Sequence, residues 1–140
     1  MPHSNPALIQ ALYTTADRLA SGVRYEWGHM GRCNCGHLVQ TITNLSDHEI
    51  VQAVDFQLDE WSEHAQEYCT GSGHKVDTLF LTLQEMGFDY QDVIHLENLS
   101  DRRVLARLGE QRYLQRNCRT DAVLYMRTMA TLLEEELVAR

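Results

Sequence analysis

Both prolines of the chain, Pro2 and Pro6, fall within its first six residues, so beyond them no ring removes a backbone donor or breaks a helical turn. The apolar residues use that freedom at helical intervals. Asn5 before Pro6 reads as an N-cap with proline in the first helical position, where its missing N–H costs nothing. After it, Ile9, Leu12, Ala16, Leu19 and Val23 alternate steps of three and four in a bundle-type seam that ends near Gly22.

The same spacing recurs along the chain. A further helix is expected from about Gly36 to Asn44. Ser46 and Glu49 form a capping box for a helix expected from about Asp47 to Tyr68, with Val51, Val54, Leu58, Trp61, Ala65 and Tyr68 on one face. Cys69-Thr-Gly-Ser-Gly stops it. Val76 to Met86 forms the next helix, with Val76, Leu79, Phe80 and Leu83 inward and Gly87 as its stop. Short helices follow at Gln91 to Leu96 and at Asp101 to Leu108, the second capped by Ser100 and closed by Gly109. The last runs from about Asp121 to Val138 on a seam of Val123, Met126, Ala130, Leu133 and Leu137. The expectation is an all-α fold: a single-domain helical bundle over residues 1–140, with about four main helices, short additional ones and an irregular Gly/Cys-rich loop after the first.

Composition narrows the function classes. At 140 residues the chain fits one domain that needs no disulfide staples. Its 12 Lys and Arg against 20 acids, a formal net charge of -8, argue against a nucleic-acid partner. The Arg-rich stretch from Arg102 to Arg119 reads as a solvated face. No apolar run approaches the length of a membrane span, and the N-terminal residues carry no secretory pattern, so the default location is cytoplasmic. Thiols stay reduced there, which makes the four Cys ligands, reactive thiols or core residues rather than disulfides. The helix seams offer a surface for homo-oligomerisation, and a small-molecule substrate is not legible.

The segment from Val23 to His37 breaks the regularity, holding three of the eight Gly, two of the seven His and two of the four Cys. If it is extended, alternate residues share a side, and Cys33, Cys35 and His37 converge on one ion, with His29 nearby. Two thiolates and an imidazole favour Zn, then Fe. The spacing is not the usual C-x₂₋₄-C, and no second pair completes four ligands, so Cys69 or His64 is the candidate for the remaining position. Two other readings stand beside this one. A Cys33–Cys35 disulfide would close a small, strained, exchange-prone ring, and a thiolate there would be helped by Arg32 and a nearby helix N-terminus. Alternatively, both Cys simply pack the loop onto the bundle in a metal-free interaction or regulatory protein.

Carboxylate–imidazole pairs supply candidate acid–base chemistry. Glu60 and His64 are i,i+4 neighbours at the edge of a helix seam, with Glu63 further toward solvent, and Asp92 and His95 sit i,i+3 on a short helix. Around an ion with an open position, Glu60, Glu63 or His64 would act as base in a hydrolytic or oxidative reaction. Neither the paired Glu-x-x-His pattern of di-iron bundles nor H-E-x-x-H is present. Cys118, between Arg116 and Arg119, follows Asn117, a candidate cap for the last helix.

Overall fold

The computed structural model describes residues 1–27, 32–46, 49, 77–109, 114, 115 and 117–139, with backbone alone for 77–80. Six helices lie among them: α1 (Pro6–Ser21), α2 (Asn34–Thr43), α3 (Asp77–Glu85), α4 (Tyr90–Asn98), α5 (Arg102–Leu108) and α6 (Arg119–Val138). No strand occurs among the described residues. The helix expected from Asp47 to Tyr68 lies outside them apart from its start. There the capping box is made, with the Glu49 amide donating to Ser46 Oγ (3.1 Å) and the Ser46 amide to Glu49 Oε1 (3.0 Å).

α1 begins as its sequence dictates. Asn5 Oδ1 accepts from the Leu8 amide at 2.8 Å, Pro6 takes the first helical position, and Gly22 closes the helix in the left-handed region. Its apolar face, with Leu8, Leu12, Ala16 and Leu19 fully buried, packs chiefly on α6. The two helices run antiparallel, since Arg119 Nη1 donates to the Leu19 carbonyl at one end while Tyr13 Oη meets Thr131 Oγ1 (3.0 Å) nearer the other. On α6 the expected Val123, Met126, Ala130 and Leu133 are buried, but so are Ala122, Tyr125 and Met129. The buried face is therefore wider than a two-position seam, as a helix with several neighbours requires.

α2 lies against the other flank of α1. Thr15 Oγ1 donates to Thr41 Oγ1 (2.7 Å), and the half-buried Arg18 guanidinium reaches the His37 carbonyl, Thr41 Oγ1 and Gln40 Oε1. Burial lowers the Arg18 pKa, and these neutral acceptors take up three of its donors.

The N-terminal residues clamp α3, α4 and α5 together. Asp89 and Asp92 cap α4 reciprocally: the Asp92 amide donates to Asp89 Oδ1 (2.8 Å) and the Asp89 amide to Asp92 Oδ2 (3.0 Å). The other Asp92 oxygen faces the Met1 ammonium at 2.9 Å, and Asp101 Oδ2 lies 3.2 Å from the same nitrogen. Burial alone would depress that ammonium's pKa, but the two carboxylates outweigh it and hold the group above its usual range. Tyr125 Oη accepts from the Asp101 amide (3.0 Å), joining α6 to this cluster. Asp101, rather than Ser100, caps α5, its Oδ1 accepting from the Arg103 amide at 2.9 Å. Ser100 instead bonds His95 Nδ1 at 2.8 Å.

α3 ends in a Schellman turn. The Phe88 amide donates to the Leu83 carbonyl and the Gly87 amide to the Gln84 carbonyl, with Leu83 and Phe88 both buried. Gly87 has φ +106°, and a Cβ added there would meet His3 Cβ at 3.2 Å and the His3 backbone at 3.3 Å, because the His3 amide donates to the Gly87 carbonyl. Gly22 has φ +105° but open space around it. Gly87→Ala therefore loses more stability than Gly22→Ala, which bears only the left-handed strain of about 1–2 kcal/mol. Urea denaturation of the two variants measures the difference, and equal losses would contradict the role of the His3 approach.

Candidate functional site

Cys33 stands at the start of α2 and is its N-cap: the Gly36 amide donates to Cys33 Sγ at 3.3 Å. The contact takes up one of the otherwise unbonded amides of the first turn of α2. Cys35 lies within the helix, its thiol 3.7 Å from the Val93 carbonyl of α4. Both cysteines are unbridged and buried, 1% and 6% exposed, so their thiols belong to the interior rather than the surface.

Helix formation from Asn34 onward changes the expected convergence. At 3.6 residues per turn, Cys35 and His37 are separated by about 200° around the axis instead of sharing one side of an extended strand. His37 accordingly projects away, its Nε2 donating to the Arg24 carbonyl at 2.6 Å and its ring tilted 35° to Tyr25 with 6.1 Å between centroids. The other residues expected at the site, His29, Glu60, Glu63, His64 and Cys69, lie outside the described residues.

The structure adds a residue that the sequence reading passed over. Glu97, in the last turn of α4, turns its carboxyl into the N-terminus of α2, where Oε2 accepts from the Cys35 amide at 3.1 Å. Both thiols also lie within bonding reach of this carboxyl group. The other oxygen, Oε1, is buried without a hydrogen-bond partner. Burial pushes the Glu97 carboxyl up to about 7, a rise opposed by the Cys35 amide, the two thiols and the Asn34 amide.

A polar frame fixes Glu97 from behind. Asn34 Nδ2 donates to the carbonyls of Leu96 (3.2 Å) and Glu97 (2.9 Å), and Trp27 Nε1 donates to the Glu97 carbonyl at 2.9 Å. The Leu96 carbonyl also takes the Leu99 amide of the C-cap, and side chains from the Trp27 and α2 segments occupy the Glu97 carbonyl in the last turn of a helix that ends at Asn98. Tyr25 Oη in turn donates to Asn34 Oδ1 at 2.7 Å, and burial first, then the charge of Glu97, raises the phenol's pKa. Asn117 does not cap α6. Its Oδ1 accepts from the Trp27 amide at 2.9 Å, while Cys118 occupies the N-cap position without a side-chain bond.

The pair Asp92 and His95 is not a unit. Asp92 serves the Met1 ammonium and the α4 cap, and His95 serves Ser100. On the Arg-rich stretch, Arg107 pairs with Glu135 through both guanidinium nitrogens and Arg103 with Glu136, so part of that charge is answered by α6. Arg112 and Arg116 lie outside the described residues.

Among the described residues, no group of three His, Cys, Asp or Glu side chains is arranged to hold a metal ion. None of the described helices is long and apolar enough to cross a membrane. Comparison with known proteins finds no matching family, no matching curated protein and no matching solved structure.

The Glu97 environment carries a pH signature in the metal-free protein. Its folded pKa lies above the ordinary carboxyl value, so between about pH 4.5 and 7 the native state binds more protons than the unfolded state and stability falls as pH rises. Across that window the loss is on the order of 3 kcal/mol. Urea midpoints measured from pH 4.5 to 8 should decline for the parent protein and stay flatter for Glu97→Gln; parallel curves would contradict this account.

Proposed function

We propose that the chain is a metal-binding protein whose ion, Zn first and Fe second, is held by the thiolates of Cys33 and Cys35 at the start of α2. The observation that carries this reading is the pairing of two buried thiols with a buried carboxylate oxygen that has no partner. A buried carboxyl with one unpartnered oxygen is costly to ionise, and that cost is relieved by a proton or by a cation. Soft thiolate donors select Zn or Fe over Mg or Ca, and the amide N–H on Cys33 Sγ suits a deprotonated ligand.

The donors that complete the set come from His29 and from either Cys69 or His64. His37, whose Nε2 is engaged by the Arg24 carbonyl, joins them only through Nδ1. If the ion keeps an open coordination position, Glu60, Glu63 or His64 acts as the base of a hydrolytic or oxidative reaction, since all three lie on the helix expected to end beside Cys69.

A second reading rests on the same burial. Cys33 and Cys35 belong to the apolar core with Leu38, Val39, Val93 and Leu96, a position that also suits structural or redox-responsive thiols in a metal-free interaction or regulatory protein.

Elemental analysis of protein purified without an affinity tag separates the two. The metal reading expects near-stoichiometric Zn or Fe, lost in Cys33→Ser and Cys35→Ser while both variants stay folded by circular dichroism. Neither metal in the parent protein, together with thiols that label only after denaturation, would leave the core reading in its place.

A further inference from the structure

Two thiols can receive a cation without the help of a neighbouring anion, yet a buried carboxyl group stands beside them at a structural cost. Glu97 is wholly buried, and no Lys, Arg or His ion-pairs with it among the described residues. A carboxylate kept only to cap α2 would need one oxygen, and Oε2 already accepts the Cys35 amide. Oε1 is left over, buried and without a partner, on a side chain whose backbone carbonyl is pinned by Asn34 and Trp27. That framing fixes the Glu97 backbone beside the start of α2.

We propose that Glu97 is the positioning residue of the cation site: its carboxylate holds the first turn of α2 against α4 and supplies the negative charge, beside Cys33 and Cys35, that a divalent cation neutralises. This rests on the metal reading given above. Glu97 acts through the two thiolates and is not itself placed as a ligand, in keeping with the absence of a three-donor group among the described residues. Residues next to metal ligands orient them and tune their affinity in this way.

Co(II) is the probe, because thiolate ligation gives it a near-ultraviolet charge-transfer band. Titration of the full chain with Co(II) should produce that band in the parent protein. In Glu97→Gln, which keeps the shape and an oxygen for the Cys35 amide but not the charge, the band should remain while the dissociation constant rises about 10- to 100-fold. Glu97→Asp, which restores the charge, should recover most of the affinity, and it serves as the test should the Gln variant fail to fold. Binding by Glu97→Gln within about twofold of the parent would overturn the proposal and leave the metal site standing. So would an Asp variant that binds no better than the Gln variant. A parent protein that shows no thiolate band would instead overturn the metal reading on which the proposal depends.

Discussion

The antiparallel contact of α1 with α6 is the constraint on which the other described helices depend. Leu8, Leu12 and Leu19 of α1 and Met126, Met129 and Leu133 of α6 belong to one buried core in which Ala16, Ala122 and Ala130 are fully buried. Large residues fill the space between the axes, and the small ones let the backbones approach. Each fully buried Leu or Met contributes about 1.5–3 kcal/mol relative to exposure, so this face outweighs any single polar contact at its edges. With α1 and α6 joined, α2 takes the remaining flank of α1 and α5 lies along α6.

Buried polar groups then set the arrangement that apolar packing leaves loose. The Met1 ammonium between Asp92 and Asp101 is a fully answered cluster: both carboxylates have partners, and the Tyr125 hydroxyl ties the Asp101 backbone to α6. Glu97 is the contrast. Its backbone is as firmly held, by Asn34 and Trp27, but its carboxyl keeps one oxygen without a partner in the interior. A buried carboxyl with one oxygen left over costs folding free energy, which sets it apart from the better-satisfied Asp92 and His95.

Local patterning made much of the helical framework legible. The Asn5-Pro6 start, the Gly22, Gly87 and Gly109 stops, the Ser46–Glu49 box and most of the α1 and α6 seams follow from rules that act within a few residues. The departures come from one near and one distant contact. Asp101 displaced Ser100 as the α5 cap because Ser100 was taken by His95, and Asn117 turned to the Trp27 amide instead of capping α6.

The candidate site was half visible. The clustering of Cys33 and Cys35 is a fact of sequence, but which side chains accompany them depends on whether the backbone there is extended or helical, and the chain became helical at Asn34. That turn sends His37 toward Arg24 and leaves Cys35 facing α4. Glu97 had one signal in the sequence: it lies four residues after Val93, on the buried stripe of a helix where an apolar residue would be expected. Sequence alone thus determined most of the described helices, several of their caps and the two thiols, because these follow from neighbours along the chain. Only the tertiary structure decided that a carboxylate more than sixty residues away would face those thiols, since a buried charge acquires its partners from packing between helices.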